Sequence, residues 1–157
     1  MPNHWKTRII FKNKSDIHKV QKIFHDDYEM CQDVMPRPEI LNHTNSPNNG
    51  MYIIDYPENS FIPNERPFTQ AELDEIVKTG YDNWYDWSNA NWGTKWGIYD
   101  IKIISNGVEF SSAWCPPNEK IFELFAKKYG FNSFEVVGHD EGVSRFESIY
   151  SIDIEKE

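Results

Sequence analysis

The chain has 157 residues, a formal net charge of −9 and a mean hydropathy of −0.69, which is the size of one ordinary domain, able to bury a core without disulfide or metal staples. Aromatic residues make up 15% of it, which excludes the aromatic-poor composition of a disordered chain. No apolar run approaches the ~20 residues of a membrane span, and the acidic balance argues against a generic phosphate-binding surface.

Thr7 to Phe11 reads as a first strand. Ser15 is a candidate N-cap, Asp16 suits the first turn, and Ile17, Val20, Ile23, Phe24 and Cys31 share one helical stripe; this spacing predicts a helix over 16–31. Residues 33–68 hold six prolines with Asn42, Asn45, Asn48, Asn49 and Gly50. That density of turn formers predicts an irregular insertion, functional or else packed down by Tyr52, Tyr56 and Phe61, with one short strand near 51–56. Thr69-Gln70-Ala71-Glu72 is a capping box, and the apolar spacing from Leu73 to Trp87 predicts a second helix over 70 to about 88.

Asn106-Gly107 separates two alternating runs, 98–105 and 108–114. A type I′ turn centred there would set Ile103 opposite Phe110, Ile101 opposite Ser112 and Tyr99 opposite Trp114. Pro116 and Pro117 suit the first turn of a third helix, and Gly130 suits its C-terminal cap. Two further strands are expected over 131–137 and 144–154, joined by a loop bearing His139, Asp140 and Glu141. The order β-α-(insertion)-α-β-β-α-β-β contains the ferredoxin-like β-α-β-β-α-β pattern. The expected fold is therefore α+β: one ferredoxin-like domain over 1–157, an antiparallel sheet with helices on one face, the insertion at about 33–68 and a C-terminal hairpin.

Charge is unevenly spread. Residues 1–22 carry six Lys/Arg and one Asp, a balance of +5; residues 23–94 carry three basic and thirteen acidic residues, a balance of −10; residues 95–157 carry seven and eleven, a balance of −4. Cys31 and Cys115 have no metal or redox spacing. The N-terminus shows no secretory apolar segment, so reduced thiols and a cytoplasmic location are expected.

Four blocks carry a family likeness. They are Pro2-Asn3-His4-Trp5, Met35-Pro36-Arg37-Pro38-Glu39, Asn91-Trp92-Gly93-Thr94-Lys95-Trp96 and Phe110-Ser111-Ser112-Ala113-Trp114-Cys115-Pro116-Pro117, with Glu141-Gly142 and Phe146 as a looser fifth. In this order and over nearly the whole chain they resemble the YubB-type ferredoxin-like proteins of bacteriophages and conjugative plasmids. Ser112 stands where that family has Thr, and Cys115 where it has a Ser that would cap the third helix. The resemblance implies a ferredoxin-like fold and a mobile-element origin, in a bacterial host cytoplasm, and implies no activity.

Two groups are candidate binding sites. Trp92, Lys95, Trp96 and Trp114 could form an aromatic platform with a cation for phosphate or carboxylate, or the tryptophans could plug the junction of helix and sheet. Asp26, Asp27, Glu29 and Asp33 form an acidic patch that could dock on a basic surface, or could be a solvated face. His139, Asp140 and Glu141 are adjacent and lack a second His at ligand spacing, and no catalytic, P-loop or dinucleotide motif occurs. No cofactor, metal or enzyme activity is expected. The leading expectation is a non-catalytic protein-interaction module, its acidic middle docking on and inhibiting a host nucleic-acid-handling or defence complex. The alternatives are a nucleotide or single-stranded nucleic-acid binding module using the Trp92–Trp96 segment, and an enzyme of unknown type.

Overall fold

The computed structural model describes residues 3–44, 52–55 and 64–154. Its elements are β1 (His4–Ile10), α1 (Lys14–Ile23), α2 (Met30–Val34), a 3-10 helix (Glu39–His43), β2 (Tyr52–Asp55), β3 (Asn64–Pro67), α3 (Gln70–Thr79), α4 (Trp84–Asn91), β4 (Tyr99–Ile104), β5 (Gly107–Ala113), α5 (Glu119–Tyr129), β6 (Ser133–Asp140) and β7 (Glu147–Asp153). The fold is α+β, with a five-stranded antiparallel sheet in the order β4-β5-β1-β6-β7. Among the described residues, no helix is long and apolar enough to cross a membrane.

The chain clusters into two compact units, 1–36 with 91–157, and 37–90. The second includes the 3-10 helix, the antiparallel β2–β3 pair and α3. It thus runs well past the irregular stretch expected at 33–68. The proposed anchors Tyr56 and Phe61 lie outside the described residues, and only the backbone of Tyr52 is described.

In the first unit the strand period of two sorts side chains between faces. Thr7 and Ile9 of β1, Val108, Phe110 and Ser112 of β5 and Val136 of β6 are buried. They lie on the face that receives the helices: Phe24 stacks parallel to Phe110 at 6.0 Å, and Phe122 of α5 lies 6.4 Å from the same ring. Phe11, Phe125, Phe131 and Phe134 continue this aromatic core. The other face carries Arg8, whose Nε donates to Glu109 at 2.9 Å.

Several local expectations change. The helix expected over 16–31 is two helices. Asn13, not Ser15, caps α1 by accepting the backbone N–H of Asp16. The chain then turns through Asp26 and Asp27 before Glu29 caps α2. The helix expected over 70–88 breaks at Gly80, which takes φ +81 as the C-cap of α3, while the capping box of Thr69 and Glu72 is present as expected. Helix α5 starts at Glu119 with Asn118 as its N-cap, so Pro116 and Pro117 precede it and Cys115 is not at the cap position.

The hairpin register also differs. Ile103 pairs with Val108 and Tyr99 with Ser111, so the turn is Ser105-Asn106 and Gly107 begins the strand. Glycine is needed there for close approach, not for positive φ. A Cβ at Gly107 would lie 1.8 Å from the Ile9 carbonyl oxygen of β1. His139 and Asp140 likewise belong to β6 rather than to a loop.

Candidate functional site

The segment 91–98 is pinned to its surroundings almost residue by residue. Asn118 donates its side-chain N–H to the Asn91 carbonyl and its backbone N–H to the Trp92 carbonyl, both at 2.8 Å. Trp92 is 2% exposed, and its Nε1 donates to the Met35 carbonyl at 2.8 Å. Thr94 is buried and donates to the Ala113 carbonyl. Gly93 at φ +79 and Gly97 at φ +89 supply the left-handed turns that non-glycine residues resist. A Cβ at Gly97 would lie 2.5 Å from the Glu29 carboxylate.

That carboxylate accepts the backbone N–H of Ile98 at 3.0 Å and of Cys31 at 3.3 Å.

This pinning leaves Trp96 exposed, with Lys95 half-buried beside it. Trp96 is 44% exposed, and the Lys95 ammonium sits 4.4 Å from its ring centroid. Trp114 completes the group. It is 47% exposed, its ring centroid is 5.7 Å from the same ammonium, and its backbone takes φ +68. Its N–H donates to the Asn3 carbonyl at 2.8 Å. A non-glycine residue in this conformation is strained by about 1–3 kcal/mol, and such strain clusters at functional positions. The ammonium at each indole face is a cation–π contact.

Trp114 and Asn3 sit at the end of the sheet where β1 begins and β5 ends. His4 lies directly across from Ala113. Its ring bonds to the Tyr99 hydroxyl, and its backbone N–H donates to Glu141 at 3.0 Å. Burial, with Asp100 and Glu141 nearby, pushes the Tyr99 hydroxyl above the ordinary tyrosine range. This His4–Tyr99–Glu141 group had no local signature in the sequence, because strand pairing alone brings its members together.

The four tryptophan-block candidates thus divide: Lys95, Trp96 and Trp114 form one surface group, and Trp92 is core. The acidic candidates divide too. Asp26 and Asp27 are exposed in the turn after α1. Glu29 serves the backbone, as above. Asp33 accepts the Tyr28 hydroxyl at 2.7 Å, the Tyr129 hydroxyl and the Lys128 ammonium, tying α2 to α5. Among the described residues no three His, Cys, Asp or Glu side chains gather as metal ligands. No family model, curated protein or solved structure matches the chain.

Proposed function

We propose that this chain is a non-catalytic binding module that holds a nucleotide or a short single strand of nucleic acid on Trp96, Lys95 and Trp114. The observation that carries this reading is the half exposure of two indoles around one ammonium on a pinned backbone. Stacking on such rings contributes about 1–3 kcal/mol per base whatever the base, and the ammonium suits one phosphate. The net charge of −9 opposes a long polyanion, so a small footprint is expected. With one phosphate contact, the logarithm of the binding constant should fall with the logarithm of salt at a slope of about −0.7.

Titrating the protein with a nucleoside monophosphate and with a ten-residue oligothymidylate should quench tryptophan emission. Trp96→Ala and Trp114→Ala should each weaken binding at least about tenfold, the equivalent of roughly 1.4 kcal/mol, within the stacking range. Emission unchanged by both ligands would remove the reading.

A second reading is a protein-interaction module that docks its acidic middle on a basic host complex, and the exposed Asp26 and Asp27 favour it. Both readings are compatible with a ferredoxin-like protein of a phage or plasmid acting in the bacterial cytoplasm. The sheet order β4-β5-β1-β6, with α1 after β1 and α5 between β5 and β6, supports the ferredoxin-like topology alone. In it, residues between α1 and β4 are an insertion and β7 extends the edge.

A further inference from the structure

The unit formed by residues 37–90 carries a groove that the tryptophan platform does not use. Among the described residues its lining is Ile76, Val77, Gly80, Tyr81, Asp82 and Asp86, and it is a shallow groove of about 430 Å³, open to solvent along most of its extent. The break between α3 and α4 creates it. Gly80 ends α3, and a Cβ there would meet nothing within 4 Å, so the space above it is open. Val77 is 78% exposed beside the buried Ile76. One wall is therefore apolar and wet.

The other wall is anionic. The Asn83 side-chain amide donates to Asp82 Oδ1 at 2.6 Å and to Asp86 Oδ2 at 3.0 Å, which holds both carboxylates on the same lip. Residues 70–91 hold five acidic residues and one lysine, a balance of −4. A phosphate-bearing ligand or an anionic membrane would be repelled here. An apolar wall beside a negative lip matches the two halves of a lysine or arginine side chain, whose methylene stem packs on apolar surface while its head stays polar.

From this complementarity we infer that the α3–α4 groove is a docking site for an extended basic segment of a partner protein, in which arginine or lysine alternates with an apolar residue. Its apolar side chains lie on Ile76, Val77 and Tyr81, and its cations reach Asp82 and Asp86. The inference is independent of the platform, since the groove's lining among the described residues falls within 76–86.

The test is fluorescence anisotropy of the full chain with a labelled nine-residue peptide alternating arginine and leucine, and with the same peptide carrying glutamate for arginine. The arginine peptide should bind and the glutamate peptide should not. Val77→Lys, at an exposed position, should weaken binding at least about tenfold, with an unchanged circular dichroism spectrum. Asp82→Asn combined with Asp86→Asn should weaken binding several-fold and flatten its salt dependence, as expected for exposed charges. Trp96→Ala should leave it unchanged. No binding by the parent chain, equal binding by Val77→Lys, or loss of binding in Trp96→Ala would overturn the inference, the last by placing the peptide on the platform. If the double variant does not fold, Val77→Lys decides the matter alone.

Discussion

Glu29 shows how one side chain changes its meaning when its neighbours are known. As part of Asp26-Asp27-Tyr28-Glu29 it reads as surface charge. In the fold its carboxylate accepts backbone N–H groups from Ile98 and Cys31, two residues far apart in the chain. It also stands at the start of α2, where negative charge is favourable. Removing it leaves the N–H of the buried Ile98 without this acceptor, a loss of about 2 kcal/mol. Glu29→Ala should therefore lower the urea midpoint clearly. Asp26→Asn and Asp27→Asn, at exposed positions, should each stay within about 0.5 kcal/mol of the parent. Equal effects at all three positions would show that the carboxylate bonds of Glu29 do not hold segment 91–98 in place.

At the scale of elements, Asn118 joins the start of α5 to the segment that begins at Asn91. It caps α5 by accepting the backbone N–H of Ile121 at 3.2 Å, and it holds both Asn91 and Trp92 by their carbonyls. Loss of an N-cap alone costs about 1 kcal/mol, and loss of the second side-chain bond adds about 1 kcal/mol. Asn118→Ala should therefore destabilise the fold by about 2 kcal/mol in urea unfolding. It should also weaken ligand quenching at Trp96, because the segment that presents this ring loses an anchor. Asn118→Asp keeps the cap but not the donor, so it should restore part of the stability and little of the binding. Stability and binding restored together would remove the anchoring role.

For the whole molecule, protonation provides the clearest expectation. Burial raises the Asp33 carboxyl, but hydrogen bonds from Lys128, Tyr129 and Tyr28 outweigh it and hold the group below the usual carboxylate range. The Arg66 guanidinium, with the backbone and side chain of Thr69, lowers Glu72 to about 2. A carboxyl lowered by folding contributes stability above its unfolded value, about 4, and loses it as pH falls through the folded value. Unfolding free energy measured in urea should hold steady above about pH 5 and fall from about pH 4 to about pH 2. Asp33→Asn should make that fall shallower, and an unchanged slope would exclude the cluster as its source. Burial first, and then Asp33, raises the hydroxyls of Tyr28 and Tyr129. Their contribution is complete below the unfolded tyrosine value of about 10 and is lost as pH rises above it. Tyr28→Phe should blunt the alkaline loss.

The sequence by itself determined the features whose causes are local. The capping box at Thr69, the glycine cap at Gly130 and the apolar stripe of α5 are set by residues a few positions apart. Alternation along β1 and β6 similarly separates a buried face from a more open one, whereas every residue of β5 is buried. Only the tertiary structure decided what depends on distant partners. Gly107 reads as a turn residue until β1 lies against it and makes its missing side chain a packing requirement. Trp92 and Trp96 belong to the same motif, yet one is buried with its indole bonded to Met35 and the other faces solvent beside Lys95. Residue type and spacing are nearly the same for both. Their difference comes from the left-handed turns at Gly93 and Gly97 and from the Glu29, Ala113 and Asn118 groups that hold the segment, and no local rule contains those contacts.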